Sequence, residues 1–267
     1  MKLLDDDDVR LIFNNDFFIS IVKSSYSYLD NYNDPFRCNA FGLMIRELVR
    51  LVFAELAPDS QVKRASWFIG DNGKVTRMER YRFGITGHIG DSVIANNPAL
   101  NSIGTCKDLR KSIDDLNKYA HISPGTSNLH PNTSTELLET IENVILDYAR
   151  TLSNSRKEVK EQVIQIVQEN IFPEIIERFP EELDILSTRT IVREVIIEDV
   201  NELDIYNYEA EVILCGTVCV ELNWGGSIDD ASIDKSFPVE IAINLCSSDF
   251  SFELTEIEVD DSSWYEE

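Results

Sequence analysis

The stretch EAEVILCGTVCVEL, residues 209–222, decides the fold class of the C-terminal part of the chain. Its apolar residues recur at every second position and many are β-branched, which is typical of strands with one buried face. The stretches TIVREVIIEDV, FPVEIAINLC and FSFELTEIEV share the pattern. The last one changes register between Leu254 and Ile257, which predicts a β-bulge near Thr255. Together these stretches predict an antiparallel sheet or a small sandwich.

Before about residue 188, apolar residues recur with helical spacing instead. Asp34 as N-cap and Pro35 as first helical residue predict a helix that ends before Pro58. Two further helices, about 133–152 and 155–171, are expected to form an antiparallel pair. A capping box at Thr133-Ser134-Thr135-Glu136 would open the first, and Pro173 would mark the end of the second.

The sequence therefore predicts an α+β protein with two domains. The first is a helical domain over residues 1–185. The second is an acidic antiparallel β domain over residues 186–267. The sequence contains neither an internal repeat nor a low-complexity tract.

Acidic charge is concentrated in the C-terminal part. The net charge of the chain is −24, but residues 161–267 hold 4 Lys and Arg against 27 Asp and Glu, whereas residues 1–160 hold 20 against 21. The acidic region would repel a phosphate backbone. We therefore expect nucleic acid to bind through the N-terminal half, and a basic protein partner to suit the acidic half.

Several classes of protein are disfavoured by the sequence. No apolar run approaches the roughly 18 residues of a membrane span, and the start, MKLLDDDD, does not resemble a signal peptide. The five cysteines are scattered and lack a CxxC pair, which favours reduced thiols in a cytoplasmic protein over disulfides or a zinc site. Common nucleotide, hydrolase and metalloprotease motifs are absent, so no metal site is predicted and the cofactor stays undetermined. An oligomer is compatible with the sequence.

The segment DDLNKYAHI, residues 114–122, holds the candidate catalytic group. His121 is suited to proton transfer near neutral pH, and Lys118 lies one helical turn before it. In metal-free RNA cleavage, Lys118 would stabilise the charged phosphorane while Asn117 orients the base or a phosphate. The alternative is that His121 interacts only with the last carbonyls and the dipole of a helix.

Cations cluster in residues 63–82, KRASWFIGDNGKVTRMERYR, where six stand against two anions. Arg77 and Arg80 lie three apart and would share one face of a helix, where guanidinium groups bind phosphate bidentately. Arg82 and Arg46 complete the predicted phosphate-binding group. A structural alternative for Arg46 is neutralisation by Glu47 or by other carboxylates.

Aromatic residues are interleaved with these cations and could stack on bases. They are Trp67, Phe68 and Tyr81. In the alternative interpretation the aromatics belong to the core and the arginines pair with the acidic second half. In that case the segment would have a structural role alone.

An ordered set of short motifs resembles a family of predicted nucleases that accompany prokaryotic PIWI proteins and other phage-defence genes. The set consists of Trp67-Phe68, Thr76-Arg77, Arg80-Tyr81, Ile85-Thr86-Gly87, Leu116-Asn117-Lys118-Tyr119-Ala120-His121 and Thr126. The acidic, strand-rich tail is similar to the end of such proteins. The resemblance implies a nuclease that acts in antiviral defence.

A second resemblance is weaker. Helical bundles with a histidine near a helix end are similar to HEPN ribonucleases, in which four to six residues separate an arginine from the histidine. Here Asp114, Asp115 and Leu116 occupy that window, and the nearest arginine is Arg110. This difference argues against transferring the HEPN mechanism to this chain.

Two functions follow as hypotheses. The first is a cytoplasmic nuclease or nuclease-like effector of a prokaryotic antiviral defence system, with His121 transferring protons and Lys118, Arg77 and Arg80 binding phosphate. The second is a non-enzymatic acidic interaction protein, an inhibitor or complex subunit, that docks on a basic partner through its C-terminal sheet.

Overall fold

The computed structural model describes residues 2–225 and 231–265. The helices in these ranges are α1 (Asp7–Arg10), α2 (Asp16–Asp30), α3 (Arg37–Leu56), α4 (Asp59–Val62), α5 (Arg77–Thr86), α6 (Asp91–Asn96), α7 (Ile103–Asp115), α8 (Pro131–Glu177) and α9 (Glu181–Asp184). Short 3-10 helices lie at Lys2–Leu4, Pro98–Leu100, Leu116–Ala120 and Ser262–Trp264. The strands are β1 (Arg189–Glu202), β2 (Glu209–Trp224), β3 (Ala231–Cys246) and β4 (Phe252–Val259). The predicted α+β fold, helices followed by an antiparallel sheet, is confirmed.

Contacts divide the chain into two compact units, Met1–Lys157 and Glu158–Glu267. This division falls inside α8, whereas the change from helix to strand falls between α9 and β1. The two predicted domains, residues 1–185 and 186–267, follow the change of secondary structure and stay a prediction. Among the described residues, no helix is both long and apolar enough to cross a membrane.

The core of the first unit forms around α3. One stripe of this helix, Phe41, Ile45 and Leu48, is fully buried among side chains of the surrounding helices. Burying each such side chain stabilises the fold by about 1.5–3 kcal/mol. At the C-terminal end of α3, the Tyr148 hydroxyl of α8 donates a hydrogen bond of 2.7 Å to the Tyr81 carbonyl of α5. This bond joins α8 to α5.

The start of α3 differs from the prediction. The helix begins at Arg37, while the Asp34 carboxylate accepts the Phe36 N–H at 2.8 Å. Asp34 therefore stabilises a turn before the helix and does not cap the helix. Proline at 35 restricts Asp34 to extended backbone but leaves the following residues free to form this turn.

The predicted antiparallel helix pair is wrong, because α8 is one helix of 47 residues. Neither Gly nor Pro interrupts it between residues 132 and 172. The two predicted apolar stripes are continuous through Leu152, Ser155 and Val159, which are all buried on the same side. The predicted capping box lies inside the first turns, and Pro173 is tolerated near the end, four residues before Glu177.

In the second unit, the strands form one antiparallel sheet in the order β1-β2-β3-β4. Even-numbered residues of β2 from Ala210 to Leu222 are buried, as the period of two predicted. Gln168 of α8 donates to the Val195 carbonyl at 2.6 Å and accepts from the Ile197 N–H at 2.7 Å, which fixes the helix on β1. The buried stripe of α8 that runs from Val159 to Ile175 therefore packs against this inner face.

The predicted β-bulge near Thr255 is confirmed. Ala242 of β3 pairs with Glu256, whereas the next residue, Ile243, pairs with Leu254. Thr255 is the extra residue, and its hydroxyl donates a hydrogen bond of 2.9 Å to the Ala242 carbonyl. The bulge lets Leu254 and Val259 both face the buried side although they are five residues apart.

We expect Gly216→Ala to destabilise the second unit. An added Cβ would lie 2.1 Å from the Ile196 carbonyl oxygen, where β1 backbone and not a movable side chain fills the space. Relieving the clash should cost about 1–3 kcal/mol of unfolding free energy. Urea unfolding followed by circular dichroism measures this cost.

Gly104→Ala is the matched control. Gly104 lies in α7 and has no atom within 4 Å of an added Cβ, so its replacement should stabilise the chain by about 0.5–1 kcal/mol. Equal effects of the two substitutions would contradict the close approach at Gly216.

Candidate functional site

Helix α5 is fixed at its N-terminus by a capping box. The Thr76 hydroxyl accepts the Glu79 N–H at 3.3 Å, and the Glu79 carboxylate accepts the Thr76 N–H at 2.7 Å. These bonds satisfy two N–H groups that the first helical turn would leave unpaired. They also set the direction in which Arg77 and Arg80 leave the helix.

Glu79 also holds the loop before α5. Its carboxylate accepts the N–H groups of Ile69 at 3.2 Å and of Gly70 at 2.6 Å. Burial alone would raise the pKa of Glu79, but the hydrogen bonds from Thr76, Gly70 and Ile69 stabilise the anion and lower its pKa overall. Glu79 therefore has a structural role, because its carboxylate is bound by backbone N–H groups of the loop and of the helix start.

A pocket of about 360 Å³ lies between α3 and α5. Four arginines line it, two from each helix: Arg46, Arg50, Arg77 and Arg80. Three of these, Arg46, Arg77 and Arg80, were predicted to bind phosphate, and the fold brings them together. Arg50 was not among the predicted residues; it lies four residues after Arg46, which places both on one helix face.

Carboxylates pair with three of the four guanidinium groups. Arg77 binds Asp114 at 2.6 Å, Arg50 binds Glu47 at 2.7 Å, and Arg80 binds Asp59 and the Ala57 carbonyl. All these partners belong to the first unit, so the predicted pairing of these arginines with the acidic second half is wrong.

Arg46 differs from the other three arginines of the pocket. It is half-buried, and within the described residues it has no carboxylate at ion-pair distance. Within the described residues, four guanidinium groups and one carboxylate, that of Glu47, line the pocket. The excess charge of the pocket is therefore positive in a protein whose overall charge is strongly negative.

Arg82 lies outside this pocket. Its guanidinium group binds Asp91 at 2.6 Å and lies 4.0 Å from the centre of the Trp67 ring. Trp67 and Tyr81 are buried, as the core alternative predicted, and Phe68 is half-buried. The rings of Trp67 and Tyr81 therefore contribute to the interior of the first unit, where bases do not reach them.

His121 ends the helical segment that follows α7. Asp115 and Leu116 keep helical backbone angles, so the 3-10 helix Leu116–Ala120 continues α7, and His121 is its extended C-cap. The imidazole is exposed. The predicted helix-end position is confirmed, whereas a catalytic role stays a prediction.

The backbone at His121 is held from two sides. Its carbonyl accepts the Thr126 hydroxyl at 3.0 Å and the Asn39 amide at 3.4 Å. Asn39 of α3 is buried and also donates to the Tyr119 carbonyl at 2.8 Å. Thr126 therefore has a structural role in the motif. Asn39 was not predicted as a site residue, because it belongs to no recognisable motif in the sequence.

The predicted catalytic residues do not line the arginine pocket. Lys118 is exposed, with its ammonium 4.9 Å from the Tyr119 ring centre, and Asn117 is half-buried. Asp114, which binds Arg77, precedes His121 by seven residues, or roughly 10–14 Å at 1.5–2.0 Å per residue. A strand with a rise of about 3.4 Å per nucleotide would span this distance with about three or four nucleotides.

His88 is fully buried, with its ring 5.1 Å from that of Phe83. Cys215 and Cys219 are half-buried on the outer face of β2. The described residues contain no cluster of three or more metal-ligating side chains.

Two family models match the chain. A model of a predicted pPIWI-associating nuclease family matches residues 10–148, and a second model with the same description matches residues 152–265. The chain belongs to the predicted pPIWI-associating nuclease family. The two matches meet near residue 150, close to the division between the two compact units. No curated protein and no solved structure matches the chain.

We expect Glu79→Gln to change the acid sensitivity of the first unit. The folded pKa of Glu79 is lowered, so its stabilisation is present above the unfolded pKa of about 4.3 and is lost as the pH falls through the folded value. Wild type should therefore lose unfolding free energy more steeply than the variant below about pH 5. Urea unfolding at pH 3–7 measures both slopes.

Glu55→Gln serves as the control for Glu79→Gln, since Glu55 is an exposed carboxylate on α3. Its slope should match that of wild type. If Glu79→Gln and Glu55→Gln behave alike, the network around Glu79 does not carry the acid sensitivity.

Proposed function

We propose that this member of the nuclease family binds the phosphate backbone of nucleic acid in the arginine pocket between α3 and α5. The observation that carries the proposal is the unpaired, half-buried Arg46 among three guanidinium groups that each have one carboxylate. A half-buried cation without an anion is costly unless a ligand supplies one. A phosphate is the ligand that guanidinium groups bind with matching, bidentate geometry.

The carboxylates around the pocket have two effects on this binding. Asp59 and Asp114 hold Arg80 and Arg77 in place, which lowers the entropy lost when a ligand is bound. They also compete with the ligand for the same guanidinium groups. A single phosphate therefore binds weakly, and a strand that contacts several cations binds more tightly and with stronger salt dependence.

Catalysis is the next part of the proposal. The exposed imidazole of His121 transfers a proton at the scissile phosphate, with Lys118 stabilising negative charge and Asn117 orienting the reacting group. The arginine pocket binds the same strand about three or four nucleotides away. We place the two contacts this far apart on the strand because of the axial distance between Asp114 and His121.

The biological setting is also a proposal. The family description supports a role beside PIWI proteins. We propose a cytoplasmic effector of antiviral defence in which the N-terminal unit binds nucleic acid. The acidic second unit discourages non-productive contacts with phosphate through its charge.

A second candidate function rests on the outer face of the sheet. Glu240 of β3 lies directly opposite Glu258 of β4, and Glu256 lies two residues away on the same strand. Like charges in direct cross-strand pairs destabilise a sheet unless cations shield them. A basic protein partner would supply those cations, as expected for an acidic interaction protein.

We expect Arg46→Gln to weaken the binding of a 5′-phosphorylated oligonucleotide about tenfold or more, because a charge-assisted hydrogen bond to phosphate contributes about 1.5–3 kcal/mol. Fluorescence anisotropy at low salt measures the affinity. Arg189→Gln is the control, since Arg189 is an exposed arginine of the acidic unit. Equal affinities for the two variants would rule out the pocket as the phosphate site.

We expect His121→Ala to lower the rate of oligonucleotide cleavage by about 10²–10⁴-fold, the usual contribution of a proton-transfer group. RNA and DNA substrates are incubated with wild type, His121→Ala and His130→Ala, in which another exposed histidine is removed. Circular dichroism checks that all three are folded.

The outcomes of this assay separate the hypotheses. If His121→Ala cleaves as fast as wild type, His121 is not catalytic although the nuclease assignment stands. If wild type cleaves neither substrate with any divalent metal, the acidic interaction protein is the better description.

A further inference from the structure

The loop between Phe68 and Val75 presents an isoleucine to solvent. Ile69 has 89% of its surface exposed, more than any other large apolar residue of the described chain. Its neighbours Trp67 and Phe68 turn inward, the first buried and the second half-buried. A side chain that is exposed to this extent buries almost no apolar surface in the fold, so its surface is available to a ligand.

This loop is held rigidly despite its exposure. Glu79 accepts the N–H of Ile69 itself and that of Gly70. Asp71 and Lys74 exchange backbone hydrogen bonds of 2.9 and 3.0 Å, which close a tight hairpin. The φ of Gly70 is 73°, and an added Cβ there would lie 2.7 Å from the Phe68 ring, so only glycine fits. Asn72 and Gly73 form the turn of this hairpin, and Ile69 lies just before its base, where the hydrogen bonds to Glu79 hold its backbone.

Cations lie close to Ile69 in the sequence. Lys63, Arg64 and Lys74 are all exposed, and within the described part of the chain none of them has a carboxylate at ion-pair distance. Asp71 is the exposed anion of the same hairpin. Arg77, the first residue of α5, follows the loop directly and lines the arginine pocket. The segment that holds the exposed isoleucine therefore has more positive than negative charge and leads into the candidate phosphate site.

We propose that Ile69 is a wedge that contacts the bases of double-stranded nucleic acid, while Lys63, Arg64 and Lys74 bind the phosphates on either side. The inference rests on the proposed function, because it extends the path of the nucleic acid from the arginine pocket to the loop. It assigns a duplex as the substrate class.

The side-chain chemistry favours a duplex over a single strand. Single strands are bound by aromatic rings on which bases stack, and the rings next to Ile69 point inward. Aliphatic side chains such as isoleucine instead enter between stacked base pairs and partly unstack them, with cations on the adjacent backbone. A protein partner with an apolar pocket would leave the three cations without anions, so the charge argues for nucleic acid.

The test compares duplexes that contain 2-aminopurine, a base whose fluorescence rises on unstacking. Wild-type full-length protein is added to a DNA duplex, an RNA duplex and the corresponding single strands, in the presence of a chelator that suppresses metal-dependent cleavage. The RNA measurements are repeated with His121→Ala, which removes the proposed metal-free cleavage. Ile69→Thr keeps the β-branch but removes apolar surface. Ile185→Thr is the matched control, since Ile185 is 71% exposed but lies in the acidic unit.

We expect wild type and Ile185→Thr to raise the fluorescence of at least one duplex. Ile69→Thr should lose most of that rise and about fivefold in duplex affinity, since it buries less apolar surface against the bases. Its salt dependence should be unchanged, because the phosphate contacts remain. Lys74→Gln should show the opposite pattern, with the rise retained and the slope of log K against log salt reduced by about 1.

Each other outcome has a distinct meaning. If Ile69→Thr matches wild type while Arg46→Gln still weakens binding, the wedge is overturned and the arginine pocket stands. If wild type binds only the single strands, the assignment of a duplex is overturned. If wild type binds none of the four probes, the proposed function itself fails.

Discussion

The hydrogen bonds of the Glu79 carboxylate are the constraint on which the candidate site depends. One carboxylate accepts backbone N–H groups from the loop at Ile69 and Gly70 and from the helix start at Thr76. The loop and α5 are thereby fixed to each other, so the exposed isoleucine and the arginines of α5 have defined positions. Without this anion, a glycine-rich loop would be free to move, and both groups would lose their orientation.

Arginines of the first unit form ion pairs with carboxylates of the same unit. Asp59 and Asp114 come from segments before and after α5, and each orients one of its arginines. Because these pairs are partly exposed, each contributes little to stability, and their main effect is to position the guanidinium groups. Arg46 is left without such a partner. The site is therefore organised in advance for an anion that it does not itself contain.

Features that depend on periodicity could be predicted from the sequence. The strands, their bulge at Thr255 and the clustering of Arg77 with Arg80 all follow from neighbours along the chain. The prediction of two helices in place of α8 was wrong, because Ser155 is buried in register with Leu152 and Val159 and continues the apolar stripe. The burial of His88 against Phe83 depends on tertiary packing, which spacing along the chain does not show.

The sequence by itself determined the fold class, the separation of charge between the halves and the residue types that suit phosphate and proton transfer, because these depend on composition and spacing. Only the tertiary structure decided which of them meet. Arg46 and Arg77 are 31 positions apart, and their common pocket requires α3 and α5 to pack side by side. Likewise, the choice between Trp67, Phe68 and Ile69 as the exposed residue depends on which side chains the core has room to bury.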